Sequence, residues 1–256
     1  YEKGKLFTGM LKDFHPEEYA LEVLDGGVQT TVQDYHGMVG YWSVGVPPCG
    51  PMDNYNFRIG NSLLGNNEDA PGLELTLRGG AYKFRTAMSF CITGADMQAE
   101  LDGEPVQRYR VICAMPNQVL KFKDCKVGMR AYLLVAGGFD VPKIMGSSST
   151  FIDGKFGGHG GRTLRSGDVL RVTEKCLIGS IESLPDKYWP KITNTWTIGV
   201  IPGPQPTKEY LKKEYLDTLT STEYEVNFNS ARTGIRLNGP IPQWAREDGG
   251  EAGLHP

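Results

Sequence analysis

The run from Gly45 to Asn61, which reads GVPPCGPMDNYNFRIGN, delivers a carboxylate and an amide directly after a rigid turn. Prolines fix φ near one value and glycines allow backbone shapes that a side chain would forbid, so the turn is sharp and stiff. Asp53 and Asn54 are therefore the first candidates for chemistry, because their oxygens can orient the N–H groups of a small polar substrate. The alternative is that Asp53 only caps the helix that begins here.

Four further polar turns are rich in glycine and join strand-like runs, at 31–37, 93–97, 155–168 and 229–236. Loops at strand ends are where a β scaffold displays functional groups. In the third turn, successive glycine N–H groups and arginine side chains would make an anion cradle, with an ordinary hairpin as the alternative. In the fourth, a planar bidentate arginine suits a carboxylate, with a surface pair as the alternative.

The candidate residues combine these turns with the first one. The candidate catalytic residues are Asp53, Asn54 and Arg232, and the candidate binding residues are Gln33, Asp34, Thr93, Gly94, Gly158, His159, Arg162 and Arg236. No Ser/His/Asp order, no G-x-S-x-G elbow and no cysteine beside a histidine motif is found, so covalent catalysis by a protein nucleophile is poorly supported.

Composition excludes several classes of function. A net charge of −3 argues against nucleic-acid binding, which usually requires a basic excess. The five cysteines are scattered and lack a CxxC pair, which argues against a disulfide framework and a zinc site and favours a reducing, cytoplasmic setting. We expect no metal, because no partner ligand for His159 lies at useful spacing. We expect no membrane contact, because no apolar run approaches the roughly twenty residues that span a bilayer.

Most of the chain has the texture of short strands. One helix is expected after the turn, because Met52, Tyr55, Ile59 and Leu63 recur at helical spacing and Gly65 stands where a helix would end. Strands are expected at 20–24, 28–35, 41–46, 73–77, 82–85, 88–93, 99–103, 110–114, 119–122, 129–138 and 168–172. Strands this short, with a turn every eight to twelve residues, predict a mainly β sandwich or barrel with a few short helices.

The chain divides by composition into a lead-in and two domains. Residues 1–19 are charged and mixed, 20–190 form the first β domain, and 195–256 begin a second. The second segment offers a strand at 195–203, a helix at 208–220 and strands at 224–229 and 234–239, which are too few to close a β domain. We therefore expect the second domain to be incomplete and the chain to be a piece of a longer polypeptide.

Eight ordered motifs resemble a known family. These are EVLDGGVQTTVQDY, VGYWSVGVPPCGPMDNYNFRIGNSLLGN, LELTLRGG, TGADM, LLVAGGFDVP, GGHGGRTLRSGD, VIPGPQ and FNSARTGIRLNGP. In this order they are similar to the allophanate hydrolase subunit 2 family over about residues 20–256. Within that family, VGVPPCGPMD and the closing PQWAREDGGEAGLHP look most like the carboxyltransferase region of urea carboxylase, the biotin-dependent part of urea amidolyase.

The resemblance implies cyclophilin-like β-barrels and transfer of a carboxyl group from carboxybiotin to urea, which gives allophanate. It implies a biotin cofactor carried on another domain, since no AMKM-like lysine motif occurs here, and ATP use elsewhere in the parent chain. The implied partners are urea, the biotin carboxyl carrier domain and the remaining carboxyltransferase segments. Two alternatives stay open: a component like that of the bacterial 5-oxoprolinase, and a noncatalytic regulatory binding protein of the same family.

The resemblance also implies roles for the candidate residues. Asp53 and Asn54 would orient the urea N–H groups, with Gln33 or Asp34 helping. Arg232, Arg236 and the backbone of residues 157–161 would hold a carboxylate or a developing oxyanion.

Overall fold

The computed structural model describes residues 19–172, 183–201, 211–232, 234–241 and 243–245. The predicted lead-in at 1–19 therefore lies outside the described residues except for Tyr19. The chain separates into two compact units, one ending at Asn194 and the other beginning at Thr195.

The first unit consists of two antiparallel sheets. The six-stranded sheet has the order β11-β1-β4-β9-β6-β7, and the five-stranded sheet has the order β2-β3-β10-β5-β8. The strands are β1 (Ala20–Asp25), β2 (Gln29–Gln33), β3 (Gly72–Thr76), β4 (Ala81–Phe84), β5 (Met88–Asp96), β6 (Glu100–Leu101), β7 (Glu104–Pro105), β8 (Val111–Ala114), β9 (Val119–Lys121), β10 (Val127–Val135) and β11 (Val169–Arg171). The prediction of a mainly β fold is confirmed, although the described strands form two sheets rather than one closed, hydrogen-bonded barrel.

The main hydrophobic core contains side chains from both sheets. Successive side chains of a strand point to opposite faces, and β10 shows this clearly. Ala131, Leu133 and Val135 join the core, whereas Tyr132 and Leu134 belong to a second buried cluster together with residues of the helix that covers this sheet. The five-stranded sheet is therefore covered on both faces.

That helix is α1 (Asn54–Leu63), which confirms the predicted helix. Its buried face differs from the stripe that indicated it. Met52 and Tyr55 are exposed, while the helix buries Phe57 and Gly60 against the sheet together with the amides of Asn56 and Asn61. The Asn61 amide donates to the carbonyl groups of Glu68 and Ala70, and Gly60 packs closely on Leu134.

The prediction of a strand at 41–46 is wrong. Trp42–Val44 form a short 3-10 turn, and Gly45 follows with a φ of 79°, a left-handed conformation that ends it. A strand would need a ladder partner, but the loop instead folds back on itself, since Met38 N donates to Pro48 O.

The second unit contains α2 (Lys213–Ser221) and a hairpin of β12 (Glu225–Val226) with β13 (Leu237–Asn238). These elements match the predicted helix at 208–220 and the two predicted strands, although residues 208–210 lie outside the described part. Residues 195–201 form no strand, so that prediction is wrong for them, because no described strand pairs with them. None of the helices among the described residues is long and apolar enough to cross a membrane.

Candidate functional site

Asp53 is the N-cap of α1. Its Oδ1 accepts a hydrogen bond from Asn56 N at 3.0 Å, and its Oδ2 accepts one from Asn56 Nδ2 at 2.5 Å. The interpretation of this residue as a helix cap is therefore confirmed. A carboxylate has about four acceptor positions, so the half-exposed Asp53 keeps acceptor capacity beyond these two bonds.

Asn54 is the exposed first residue of α1, at a point where the helix offers backbone donors. The first N–H groups of any helix lack an intrahelical acceptor. Asp53 N donates to a tyrosine hydroxyl and Asn56 N to the cap, but within the described part of the chain the N–H groups of Asn54 and Tyr55 have no acceptor. Free backbone donors thus stand beside the Asp53 carboxylate within one helical turn.

A buried polar chain lies beneath this helix start. Glu74, on β3, accepts at Oε2 from Met52 N at 2.7 Å and from the Tyr132 hydroxyl at 3.0 Å. The same hydroxyl accepts from Asp53 N at 2.7 Å. Glu74 is also close to Arg130, whose guanidinium lies 3.4 Å from Oε1 and donates to Thr76 Oγ1 at 2.8 Å.

A second buried chain leads from the helix to β5. Tyr109 donates from its hydroxyl to Asn56 Oδ1 at 2.6 Å and accepts from Gly94 N at 3.2 Å. Thr93 Oγ1 donates to Asn56 O at 2.8 Å. Arg108 donates to Gly94 O and lies over the ring of Trp189 at 5.4 Å. Two predicted binding residues, Thr93 and Gly94, are therefore connected by hydrogen bonds to Asn56 in the first turn of α1.

Burial keeps both tyrosines of these chains protonated. Loss of water around the hydroxyl raises the pKa of Tyr132, and the nearby Glu74 charge raises it further. Burial is also the main reason that the pKa of Tyr109 is raised. Both hydroxyls are fixed hydrogen-bonding groups rather than acids at neutral pH.

The Asp34 carboxylate holds a serine-rich loop. Ser147 Oγ donates to Asp34 Oδ1, Ser149 Oγ donates to the same oxygen at 2.6 Å, and Ser148 N donates to Oδ2 at 2.7 Å. An idealised Cβ on Gly50 would lie 3.3 Å from Asp34 O, so this carbonyl packs against the turn that precedes Asp53. The Asp34 cluster thus adjoins the start of α1.

Gln33 and Gly158 belong to the same region. Gln33 Nε2 donates to Thr31 Oγ1 at 2.9 Å and to Thr150 O at 3.4 Å, and Gln33 Oε1 is buried without a hydrogen-bond partner among the described residues. Gly158 packs so tightly on Thr150 that an added Cβ would lie 1.9 Å from Thr150 Oγ1. The glycine turn is therefore used for close packing.

His159 and Arg162 meet at Asp168. Arg162 donates to both carboxylate oxygens, at 2.7 and 2.8 Å, and His159 Nε2 lies 3.5 Å from Oδ1. Burial by itself would raise the pKa of Asp168, but the hydrogen bonds from Arg162, His159 and Arg165 N outweigh it and hold that pKa well below its usual range. The fork of Arg162 is engaged inside the protein, and a role in anion binding stays a prediction.

Arg232 and Arg236 lie in the second unit, in the turn before β13. Arg232 is half-buried and Arg236 is exposed, with Arg236 N donating to Ser230 Oγ at 3.0 Å. Their roles stay predictions. Within the first unit, the structure brings Asp53, Thr93 and Gly94 together, places Gln33, Asp34 and Gly158 in an adjoining cluster, and ties His159 and Arg162 to Asp168.

Four residues that connect the helix start to the sheet were not predicted from the sequence, namely Asn56, Glu74, Tyr109 and Tyr132. One signal was available for Glu74. It is a charged residue in the middle of the apolar run LELTL, and a buried charge costs free energy unless it is paired and hydrogen-bonded. Tyr132 gave no such signal, because a tyrosine in a strand is ordinary, and Tyr109 lies in a turn outside the predicted strands.

The geometry of this site is that of a polar, tightly hydrogen-bonded helix start on a β scaffold, without a described cluster of metal ligands. In the described ranges, no group of three or more His, Cys, Asp and Glu side chains is arranged to hold a metal ion. The described cysteines, Cys49, Cys91, Cys113 and Cys125, form no disulfide with one another. Burial raises the pKa of Cys91 to about 12, so that thiol is inert at neutral pH.

Comparison with known proteins identifies the class. A family described as carboxyltransferase domain, subdomain A and B, matches residues 44–256. The urea amidolyase of Lachancea kluyveri is 41% identical over 266 residues, which cover 100% of this chain and 14% of the relative. A 5-oxoprolinase subunit of Escherichia coli is 36% identical over 223 residues, which cover 86% of this chain and 69% of the relative.

A solved structure agrees with these matches. The crystal structure of the Kluyveromyces lactis urea carboxylase superposes with a TM-score of 0.87 at 38% identity and covers 99% of this chain and 24% of that one. The chain belongs to the carboxyltransferase domain family with subdomains A and B. Its resemblance to the carboxyltransferase region of urea carboxylase is confirmed, and it spans 14% of the length of the urea amidolyase that it matches.

Proposed function

We propose that this chain, as a region of a longer protein, transfers a carboxyl group from carboxybiotin to a nitrogen of urea and so forms allophanate. The observation that carries the proposal is the structural match to a urea carboxylase over 99% of the chain at a TM-score of 0.87. The start of α1 is the proposed transfer site.

The helix start offers the hydrogen-bonding groups that urea requires. Urea has one carbonyl acceptor and four N–H donors. Asp53 retains acceptor positions for the N–H groups, and the Asn54 side chain offers a further oxygen. The backbone N–H groups of Asn54 and Tyr55 lie within the same turn and suit the carbonyl oxygen or a developing oxyanion.

The same donors fit the biotin-borne carboxyl group. When bound, carboxybiotin would supply the activated carboxyl group and, once decarboxylated, a nitrogen for the proton that the urea nitrogen loses. The helix N-terminus favours a carboxylate through its free N–H groups and dipole, and the exposure of Asn54 leaves this end of the helix open to a carrier. In the second unit, Arg232 and Arg236 are proposed to bind a carboxylate. The biotin carboxyl carrier domain and the remaining carboxyltransferase segments of the parent protein are the proposed partners.

Urea-dependent ATP consumption by the full-length parent protein tests the proposal. Asp53→Ala and Asn54→Ala are compared with Asp69→Ala and Asn67→Ala, which replace the same residue types at exposed positions just after the helix. We expect the first pair to lose urea-dependent turnover while biotin carboxylation continues, and the second pair to behave as wild type. Unchanged turnover in the first pair would show that Asp53 and Asn54 have only a structural role at the start of the helix.

A second candidate function rests on the 5-oxoprolinase relatives. The matching 5-oxoprolinase subunits of Escherichia coli and Haemophilus influenzae are 36% and 33% identical and align with 86% of this chain. If this function is correct, 5-oxoproline rather than urea will stimulate ATP consumption by the parent protein, and biotin will not be required. A parent protein stimulated by neither compound would instead favour the noncatalytic regulatory binding protein.

A further inference from the structure

The turn that carries Asp53 is anchored from below by a single buried carboxylate. Glu74 is only 1% exposed, and its Oε2 accepts from Met52 N directly. The Tyr132 hydroxyl, on the neighbouring strand, donates to the same oxygen and accepts from Asp53 N. Two consecutive backbone N–H groups are therefore fixed, one directly and one through a hydroxyl, to one oxygen atom.

The anchor is part of the sheet itself. Glu74 and Tyr132 are directly paired residues of β3 and β10, as are Thr76 and Arg130. Arg130 lies against the other Glu74 oxygen and offsets its charge, which makes the buried carboxylate tolerable. The position of the helix start is thereby tied to a cross-strand register that does not shift without breaking the ladder.

This arrangement separates anchored donors from available ones. The N–H groups of Met52 and Asp53 are engaged by the anchor, whereas those of Asn54 and Tyr55 have no acceptor in the described part of the chain. The anchor therefore determines which peptide groups of the turn can face a ligand. It also sets the distance of the Asp53 carboxylate from the sheet.

We propose that Glu74 and Tyr132 are positioning residues for carboxyl transfer, which hold the helix start so that Asp53 and the free N–H groups of Asn54 and Tyr55 meet the substrate in register. This inference rests on the proposed function. Neither residue touches the substrate. Because a displacement of about 1 Å can lower the rate of a positioned reaction by about 100-fold, loss of the anchor acts on turnover rather than on the fold alone.

The chain provides a matched pair of tyrosines for the test. Tyr132 and Tyr82 are both 0% exposed, and each packs edge-on against a phenylalanine, Phe57 and Phe122 respectively. The Tyr132 hydroxyl forms two hydrogen bonds, to Glu74 and from Asp53 N, whereas that of Tyr82 bonds with Thr30 Oγ1 at 3.1 Å, away from the helix start. Tyr132→Phe and Tyr82→Phe thus remove the same atom from similar surroundings.

Steady-state kinetics of the full-length parent protein give the first readout. We expect Tyr132→Phe to lower kcat for urea by about 10- to 100-fold, and Tyr82→Phe to retain kcat within about twofold of wild type. Glu74→Gln, which keeps the shape of the side chain, should lower kcat in the same direction and serves if Tyr132→Phe does not fold. Equal kcat in the two tyrosine variants would overturn the inference.

Amide hydrogen exchange gives a second readout that does not depend on activity. Peptides covering Met52 and Asp53 should exchange faster in Tyr132→Phe than in wild type or Tyr82→Phe, because Asp53 N then lacks its acceptor. Unchanged exchange there would show that the hydroxyl does not anchor the turn. A wild-type parent protein without urea-dependent turnover would instead overturn the proposed function and this inference with it, a result distinct from loss of the kinetic difference alone.

Discussion

At the scale of single residues, Asp53 caps a helix and can still accept further hydrogen bonds. Both oxygens bind Asn56, so the residue caps α1, yet a carboxylate can accept further bonds. Asparagine caps helices about as well as aspartate does, whereas alanine does not. Replacing Asp53 by asparagine and by alanine therefore distinguishes the contribution of the helix cap from that of the negative charge.

We expect Asp53→Ala to lower the free energy of unfolding by about 1 kcal/mol, because the cap is lost. Asp53→Asn should be destabilised by less than Asp53→Ala, because an amide oxygen still accepts from Asn56 N although the bond from Asn56 Nδ2 is lost. Guanidinium unfolding of both variants measures the difference. If the two variants were equally destabilised, the charge rather than the cap would be what stabilises this helix start.

Asp168 should make stability depend on pH in the acid range. Its pKa in the folded protein lies below the unfolded value of 3.8, because bonds from Arg162, His159 and Arg165 N outweigh burial. The ionised carboxylate therefore stabilises the fold above about pH 5, and this stabilisation is lost as the pH falls through 3.8 towards the lower folded pKa.

The corresponding measurement is unfolding of wild type and Asp168→Asn as a function of pH. We expect the variant to be less stable by about 2 kcal/mol at pH 7, since Arg162 loses its charged partner, and the gap to narrow steadily between about pH 5 and pH 2. A gap that stayed constant over this range would contradict the lowered pKa of Asp168.

Single residues also show what sequence reasoning could reach. The turn chemistry of GVPPCGPMD identified Asp53 and its cap from local rules alone. Glu74 was within reach as a charge inside an apolar strand, but its partners were not. Met52, Arg130 and Tyr132 are 22 to 58 residues away in sequence, and only the sheet register brings them together.

At the scale of elements, α1 is held by close packing of a glycine on the sheet. An added Cβ on Gly60 would lie 2.1 Å from Leu134 Cδ1 and 3.1 Å from Thr93 Cγ2, and both of these side chains are buried. A helix normally gains from replacing glycine by alanine. At Gly60, however, the crowded interface makes alanine less favourable than glycine.

We therefore expect Gly60→Ala to destabilise the protein by about 1 kcal/mol. The cost of overpacking the interface exceeds the gain in helix propensity, which is itself about 1 kcal/mol. Ser62→Ala, on the exposed face of the same helix, is the control and should change stability by less than about 0.5 kcal/mol. Thermal unfolding of both variants measures this. A stabilised Gly60→Ala would show that the helix can move away from Leu134 at little cost.

The elements also show where the local sequence pattern does not predict the observed structure. Runs such as 88–93 and 119–122 were predicted as strands and form them, because β propensity and tertiary pairing agree there. The run at 41–46 has strand composition, but its loop closes through the bond from Met38 N to Pro48 O. Helical spacing predicted α1, yet Met52 and Tyr55 are exposed, and the buried face consists of Phe57 and Gly60 with the amides of Asn56 and Asn61.

At the scale of the whole molecule, the buried hydrophobic clusters found among the described residues belong to the first unit. All their residues lie between Tyr19 and Val172, in the unit that ends at Asn194. We expect a chain that ends at Asn194 to fold with a Tm within about 4 °C of the full 256-residue chain, the shift that about 1 kcal/mol produces in a domain of this size. Calorimetry of the two chains measures this.

A much larger fall in Tm, or loss of a cooperative transition, would show that residues after Asn194 contribute substantially to the stability of the first unit. At this scale the sequence predicted the mainly β class from strand spacing, and the family from ordered motifs. It could not predict that the described strands divide into sheets of six and five, because strand order depends on long-range pairing, such as β1 with β11.

The most direct test of carboxyl transfer at the start of α1 is a single-turnover measurement. The full-length parent protein is loaded with labelled carboxyl on biotin and mixed with urea, and labelled allophanate is followed for wild type and Asp53→Asn. We predict that wild type transfers the label to urea and that Asp53→Asn, with its cap intact, transfers it at least about tenfold more slowly. Equal transfer rates in the two proteins would contradict the assignment of Asp53 to the transfer site.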